Sequence, residues 1–229
     1  MKFVKLLKEQ NWAGFALEFL AVVLGIVITF AGEAIISSHN EQVDVKNSLQ
    51  LVKDELQDNL SYILEADSLM EIDGEAARFL IRFMGHYDEA PKDTLYYYCN
   101  YPMYLYTFYN TSQALELLKS SSIFSKIKDK SLALDIIHAY GNIEEYIRLK
   151  RSYLEKKKNL VDEAVNDDMK KLLSVPHITA QKFWTTITST TAGVYLLHEL
   201  RISSSMNSNS EHVREITTST IEKIDLYCE

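Results

Sequence analysis

The stretch EFLAVVLGIVITFAGE runs from Glu18 to Glu33, fourteen uncharged and mostly apolar residues between two carboxylates. Widened to its apolar limits it covers residues 15–36, twenty-two residues that carry only those two charges. As a helix rising 1.5 Å per residue it is about 33 Å long, close to the roughly 30 Å thickness of bilayer hydrocarbon. Trp12 stands just before it, where an interfacial indole belongs. A cleaved signal peptide shares the basic start but has a shorter apolar centre and a small-x-small exit. Gly32–Glu33–Ala34 meets that pattern poorly, because Glu33 sits in its middle and Ile35 and Ile36 follow. The stretch therefore reads as an uncleaved transmembrane helix.

Orientation follows from the flanks. Lys2, Lys5 and Lys8 precede the span with Glu9 as the only acid, whereas the twenty residues after Ile36 contain only Lys46 and Lys53. The excess of basic residues predicts a cytoplasmic N-terminus. The expected organisation is a short basic cytoplasmic segment (1–14), the span (15–36), and an extracytoplasmic, periplasmic helical bundle (37–229).

On a helical wheel Gly14, Glu18, Ala21, Gly25, Thr29 and Gly32 share a stripe about 80° wide, with Glu33 about 40° beyond its edge. Small residues at this spacing let two helices approach closely, which predicts association with a second copy or another membrane protein. The large side chains of Phe19, Leu20, Val23, Ile26, Val27 and Phe30 face lipid on this reading. Glu18 and Glu33 are intramembrane acids about 11 Å from the middle of the span. Two roles compete for them: proton coupling, as in an ion-conducting subunit, and a shallow carboxyl reaching the headgroups or seated in a helix seam.

Beyond the span, Val45, Leu49, Val52, Leu56, Ile63, Ala66 and Met70 recur near heptad spacing, with Asn59 interrupting them. No Pro intervenes and no Gly until Gly74, so the span is expected to continue into a long coiled-coil-like stalk helix. Between Asp54 and Glu75 this segment carries eight acids and no Lys or Arg. Residues 85–93 should end it, with Pro91 as the stop. A second long helix is expected from about Lys130 to near Leu173, capped by Asp129. Six bases lie between Arg148 and Lys158 against Glu155 alone. The acidic and basic stretches suggest two helices side by side, and an acidic partner or lipid headgroups are the rival destination. Thr111 or Ser112 is placed to cap a short helix through Leu118. The Thr-rich TTITSTT segment would read as strand by itself, but Phe183, Ile187, Val194, Leu197 and Leu200 keep a helical period around it. With seven Gly and three Pro in 229 residues, the chain has too few breakers for a many-stranded fold. The fold class is all-α: a transmembrane helix continuing into a stalk, packed with further helices as an antiparallel bundle.

Tyr96, Tyr97, Tyr98, Tyr101, Tyr104, Tyr106 and Tyr109 hold seven of the fourteen tyrosines within fourteen residues. Such a cluster fits either a partner or glycan surface, or rings laid into the core with hydroxyls at its rim. A net charge of −8 argues against a nucleic-acid binder. Catalytic, metal and cofactor motifs are wanting. Cys99 and Cys228 lack companions for a metal site, leaving a disulfide or two free thiols. Ser125–Lys128 matches Ser-x-x-Lys only by spacing, the segment at His198 lacks the second His of a zinc-protease helix, and no Gly-rich phosphate loop exists. An enzyme is not expected.

EFLAVVLGIVITF, with Gly25 seven residues after Glu18, resembles the N-terminal anchor of a group of bacterial membrane proteins of unknown function common in Bacteroidota. The segment ALELLKSSSIFSKIKDKSLALDIIHAYGNIEEY is similar to that group's helical core at Leu117, Lys119, Ser120, Ser121, Ile127, Lys128, Asp129 and Tyr140, with Ser122 where a Gly is usual. Residues 34–41 depart from the group's Asn/Trp-rich continuation. The resemblance implies an inner-membrane anchor and an all-helical domain outside the cytoplasm, and it brings no activity. The expected function is a membrane-anchored scaffold or interaction module that oligomerises or assembles with membrane proteins. Its rivals are an ion-coupled subunit using Glu18 and a glycan- or ligand-binding module using the tyrosines.

Overall fold

The computed structural model describes residues 12–165, 167–174, 177–204 and 208–229, and the side chains of its first helix from Glu18 onward. That helix, α1, runs unbroken from Trp12 to Arg82, 71 residues. Nothing in its interior forces a stop: it contains no Pro, and an isolated Gly costs a helix only about 1 kcal/mol. Arg82 lies in its last turn, and Gly85 at φ +86° then takes the left-handed conformation that turns the chain away. Pro91 does not act as the stop. It is the residue before α2 (Lys92–Tyr98), where its fixed φ suits a helix start.

A 3₁₀ turn at Tyr101–Met103 and an extended strap lead to α3 (Gln113–Ser120) and α4 (Ile123–Lys126). Long α5 covers Lys130–Ala164, followed by α6 (Asp167–Leu173), α7 (Ala180–Thr188), α8 (Thr191–Ser203) and α9 (Ser208–Cys228). No strand occurs among the described residues. Asp129 caps α5, accepting from the amides of Ser131 at 2.9 Å and Leu132 at 3.1 Å. Those bonds, Leu132's first, hold its carboxyl below the usual range. Helix α5 ends at Ala164 rather than near Leu173, since Val165 leaves helical geometry at ψ 70°. Ser112 occupies the cap position of α3 without a capping bond; Glu55 of α1 takes the Ala114 amide instead. The Thr-rich segment is helical but broken, because Thr190 starts a new helix by accepting from Gly193 N at 2.9 Å. Gly193 is required there: a Cβ would collide with the carbonyl oxygen of Ile187 at the end of α7.

The heptad reading of α1 holds and extends. Val45, Val52, Asn59, Ala66, Asp73 and Leu80 are spaced by sevens, as are Leu49, Leu56, Ile63, Met70 and Ala77. All eleven are at most 4% exposed. Each large aliphatic residue sealed this way contributes about 1.5–3 kcal/mol. Helix α5 lies parallel to α1: Tyr140 meets Glu55, Tyr146 meets Asp67 and Lys157 meets Asp73, in ascending order along both. The antiparallel members are α9, beside the N-terminal part of the bundle, and α8, beside its distal part. Asp225 of α9 pairs with Lys53, and Lys223 with Asp135; Glu199 of α8 pairs with Lys156. The core accordingly has two parts, one around Leu56, Ile63, Ile136 and Ile143, the other around Leu80, Trp184, Leu196 and Leu200.

Candidate functional site: a bare anchor and a pinned tyrosine strap

Two regions answer to the site residues expected from sequence. The first is the anchor. Within α1 an 18-residue window reaches a mean hydropathy of 2.5 with none of it buried, so this helix is long and apolar enough to cross a membrane. Its large apolar side chains from Phe19 to Ile36 are between 37% and 71% exposed, whereas Val45, about two and a half turns on, is fully sealed. Ala21, Gly25 and Thr29 are exposed and Gly32 half-buried. A Cβ added at Gly25 or Gly32 would meet nothing within 4 Å, so the small-residue stripe is unoccupied by this chain. Thr29 Oγ1 donates to the Gly25 carbonyl at 2.9 Å, satisfying its hydroxyl within the helix. Glu18 and Glu33 are exposed. The surroundings of Gly14 lie outside the described side chains.

The second region is the tyrosine segment, and the structure divides it. Tyr96, Tyr97, Tyr104 and Tyr109 are exposed, Tyr98, Tyr101 and Tyr106 are half-buried, and Phe108 is buried. Four ties from α1 and α5 fix the strap. Asn59 Nδ2 donates to the Thr111 carbonyl and its Oδ1 accepts from the Thr111 amide, both at 2.8 Å. Tyr106 OH donates to Asp73 Oδ1 at 3.1 Å. Lys157 Nζ donates to the Tyr101 carbonyl at 3.2 Å, and Arg151 to the Phe108 carbonyl at 3.5 Å.

Beneath the strap lies a buried charge centre. Lys157 Nζ contacts Asp73 Oδ2 at 2.6 Å, with both side chains fully enclosed. Tyr153 OH donates to the same oxygen at 3.2 Å, and Lys157 sits 4.7 Å from the Tyr106 ring centroid. Every polar atom of the pair has a partner, as a low-dielectric interior demands. Burial raises the Asp73 carboxyl despite the nearby ammonium and its hydroxyl donors, and burial lowers Lys157 despite Asp73. Tyr106 and Tyr153 are driven well above the phenol range, by burial first and then by the Asp73 charge. The centre tops a ladder in which tyrosines of α5 donate to acids of α1: Tyr140 to Glu55 at 2.7 Å, Tyr146 to Asp67 at 2.6 Å, then Tyr153 to Asp73.

Two of the six bases in this stretch of α5, Lys150 and Lys157, are buried, and two more form pairs at the surface. Lys150 pairs with Asp67 and Lys157 with Asp73; Arg148 pairs with Glu145 and Lys156 with Glu199. Sequence reading found the two opposing stretches but not the tyrosines that interleave them. Asp73 was legible, since it continues the sevenfold spacing of Asn59 and Ala66.

The residues weighed for catalysis do not assemble. Helix α4 ends at Lys126 and Ile127 is extended, so Lys128 is not one helical turn from Ser125, whose hydroxyl donates to Ser122 O at 2.7 Å. No group of three potential metal ligands occurs among the described residues. Cys99 and Cys228 are free thiols in different parts of the bundle. No family model, curated protein or solved structure matches the chain.

Proposed function

We propose that this chain is a single-pass, membrane-anchored helical scaffold whose anchor associates with another transmembrane helix and whose bundle is held at a fixed distance and orientation outside the cytoplasm. One observation carries the reading: a single unbroken helix exposes its large apolar side chains from Phe19 to Ile36 and buries its sevenfold-spaced positions from Val45 onward. Exposed apolar area on that scale is not sustained in water and marks a membrane or protein contact. Continuity of the helix makes the mechanism positional, because Ile36 and Val45 are about 14 Å apart on a rigid rod with no hinge between them. The basic N-terminal segment supports a cytoplasmic start in a bacterial inner membrane.

Association is tested with a transmembrane reporter fusion of residues 12–38. Gly25→Ile, which fills the open stripe, is expected to reduce the dimerisation signal several-fold, while Val27→Leu on another face leaves it intact. An unchanged signal for Gly25→Ile contradicts the seam.

A further inference from the structure

Leu69, Tyr97, Asn100, Tyr101, Tyr104 and Tyr106 line a recess of about 340 Å³ on the side of the bundle. We propose that this recess is a binding site for a neutral glycan chain. The inference goes beyond the anchoring role and does not depend on it.

The charge around the recess selects the ligand. None of its six lining side chains is a cation, and exposed Glu65 lies one helical turn from Leu69 within the acidic stretch of α1, so an anionic ligand is repelled. A cationic ligand gains little here either: the Tyr106 ring already holds the Lys157 ammonium 4.7 Å from its centroid, and no lining side chain is a carboxylate. A neutral ligand remains.

The lining then specifies its shape and edges. Two tilted ring pairs, Tyr97–Tyr101 at 5.6 Å and Tyr104–Tyr106 at 5.1 Å between centroids, offer apolar faces of the size of a pyranose ring. The Tyr104 hydroxyl and the Asn100 side-chain amide have no hydrogen-bond partner among the described residues and can meet sugar hydroxyls. A molecule with flat apolar faces, hydroxyl-rich edges and no charge is a carbohydrate, and an open recess suits a chain lying across it.

The platform is also fixed in advance. Lys157 holds the Tyr101 carbonyl, Asp73 holds the Tyr106 hydroxyl, and Asn59 grips the strap at Thr111. Binding therefore does not have to order the loop, which favours even a shallow site.

The test uses the full-length chain held in a non-glycosidic amphiphile, titrated with N-acetylchitotetraose, cellotetraose and maltotetraose up to about 10 mM, the range of weak single-site affinities. Binding is read by saturation-transfer NMR. Tyr97 and Tyr104 are exposed, so Tyr97→Ala and Tyr104→Ala should keep the wild-type far-UV circular dichroism and melting temperature. Tyr96→Ala, 78% exposed and outside the lining, is the control. At least one probe is expected to saturate, with affinity about tenfold weaker in each recess variant and unchanged in the control. Three results overturn the proposal: no saturation by any probe, equal loss or equal retention in all variants, or a Tyr97- and Tyr104-dependent protein partner without any glycan signal.

Discussion

Asp73 and Lys157 form a 2.6 Å ion pair with no solvent exposure on either side chain, at the level where the two parts of the core meet. Burial pushes each group toward its neutral form, and only the partner and the surrounding hydroxyls offset that. A pair of this kind contributes little net stability compared with well-packed apolar residues, yet removing one member leaves the other stranded. Asp73→Leu and Lys157→Met are each expected to destabilise the bundle by about 3–5 kcal/mol. Asp73→Leu combined with Lys157→Met should recover most of that loss. Urea denaturation of the four proteins measures the coupling, and additive losses would show that the two residues act independently.

The same pair predicts a pH signature. In Asp73→Asn the Lys157 ammonium loses its carboxylate partner, so its pKa, already lowered by burial, falls further. A lysine lowered in the native state binds fewer protons there than when unfolded. Stability then rises with pH from the lowered native value up to the unfolded value of about 10.4. Asp73→Asn should therefore regain melting temperature relative to the parent between pH 7 and pH 9.5, about the range open before tyrosine and lysine titration intrudes. A constant difference across that range would show that Lys157 has the same protonation in both native proteins, so that Asp73 does not hold its charge.

Asn59 and Asp73 are the two polar members of one buried sevenfold row, and the Asn59 amide grips both backbone groups of Thr111. Asn59→Leu extends the apolar part of that row but strands the Thr111 amide and carbonyl. The expected cost is about 1–3 kcal/mol, despite the added hydrophobic volume. Amide hydrogen exchange at Thr111 should accelerate more than at core positions such as Ile63. Stabilisation by this substitution would mean that the clamp is dispensable.

Gly193 marks a close approach of α7 to α8, since a side chain there would meet the backbone of Ile187 rather than a movable group. Gly193→Ala is expected to cost about 1–3 kcal/mol through forced displacement of α7 from α8, even though Ala is the better helix former. Gly141→Ala, at a position with open space around it, should be neutral or slightly stabilising in the same thermal melts.

How much of this was legible in the sequence depends on how local each feature is. Helix α1 could be read because its evidence is contiguous: no Pro over 71 residues, an apolar run of membrane length, and a sevenfold ladder. The Asp129 cap was equally local. The end of α5 at Ala164 was not, because Lys, Leu and Val continue at helical spacing through the break. Tyr140 and Tyr153 read as apolar positions of a helix, which they are, but the acids receiving their hydroxyls lie 85 and 80 residues away on another helix. The tyrosine strap was visible as composition only. The strap is pinned by four residues of distant helices, Asn59, Asp73, Arg151 and Lys157, whose grip on it no local pattern records.

Alkaline carbonate extraction of membranes tests the anchoring of the chain most directly. The intact protein should stay in the membrane pellet, and a variant lacking residues 19–36 should move to the supernatant with its helical circular dichroism preserved. Recovery of the intact protein in the supernatant would contradict the account.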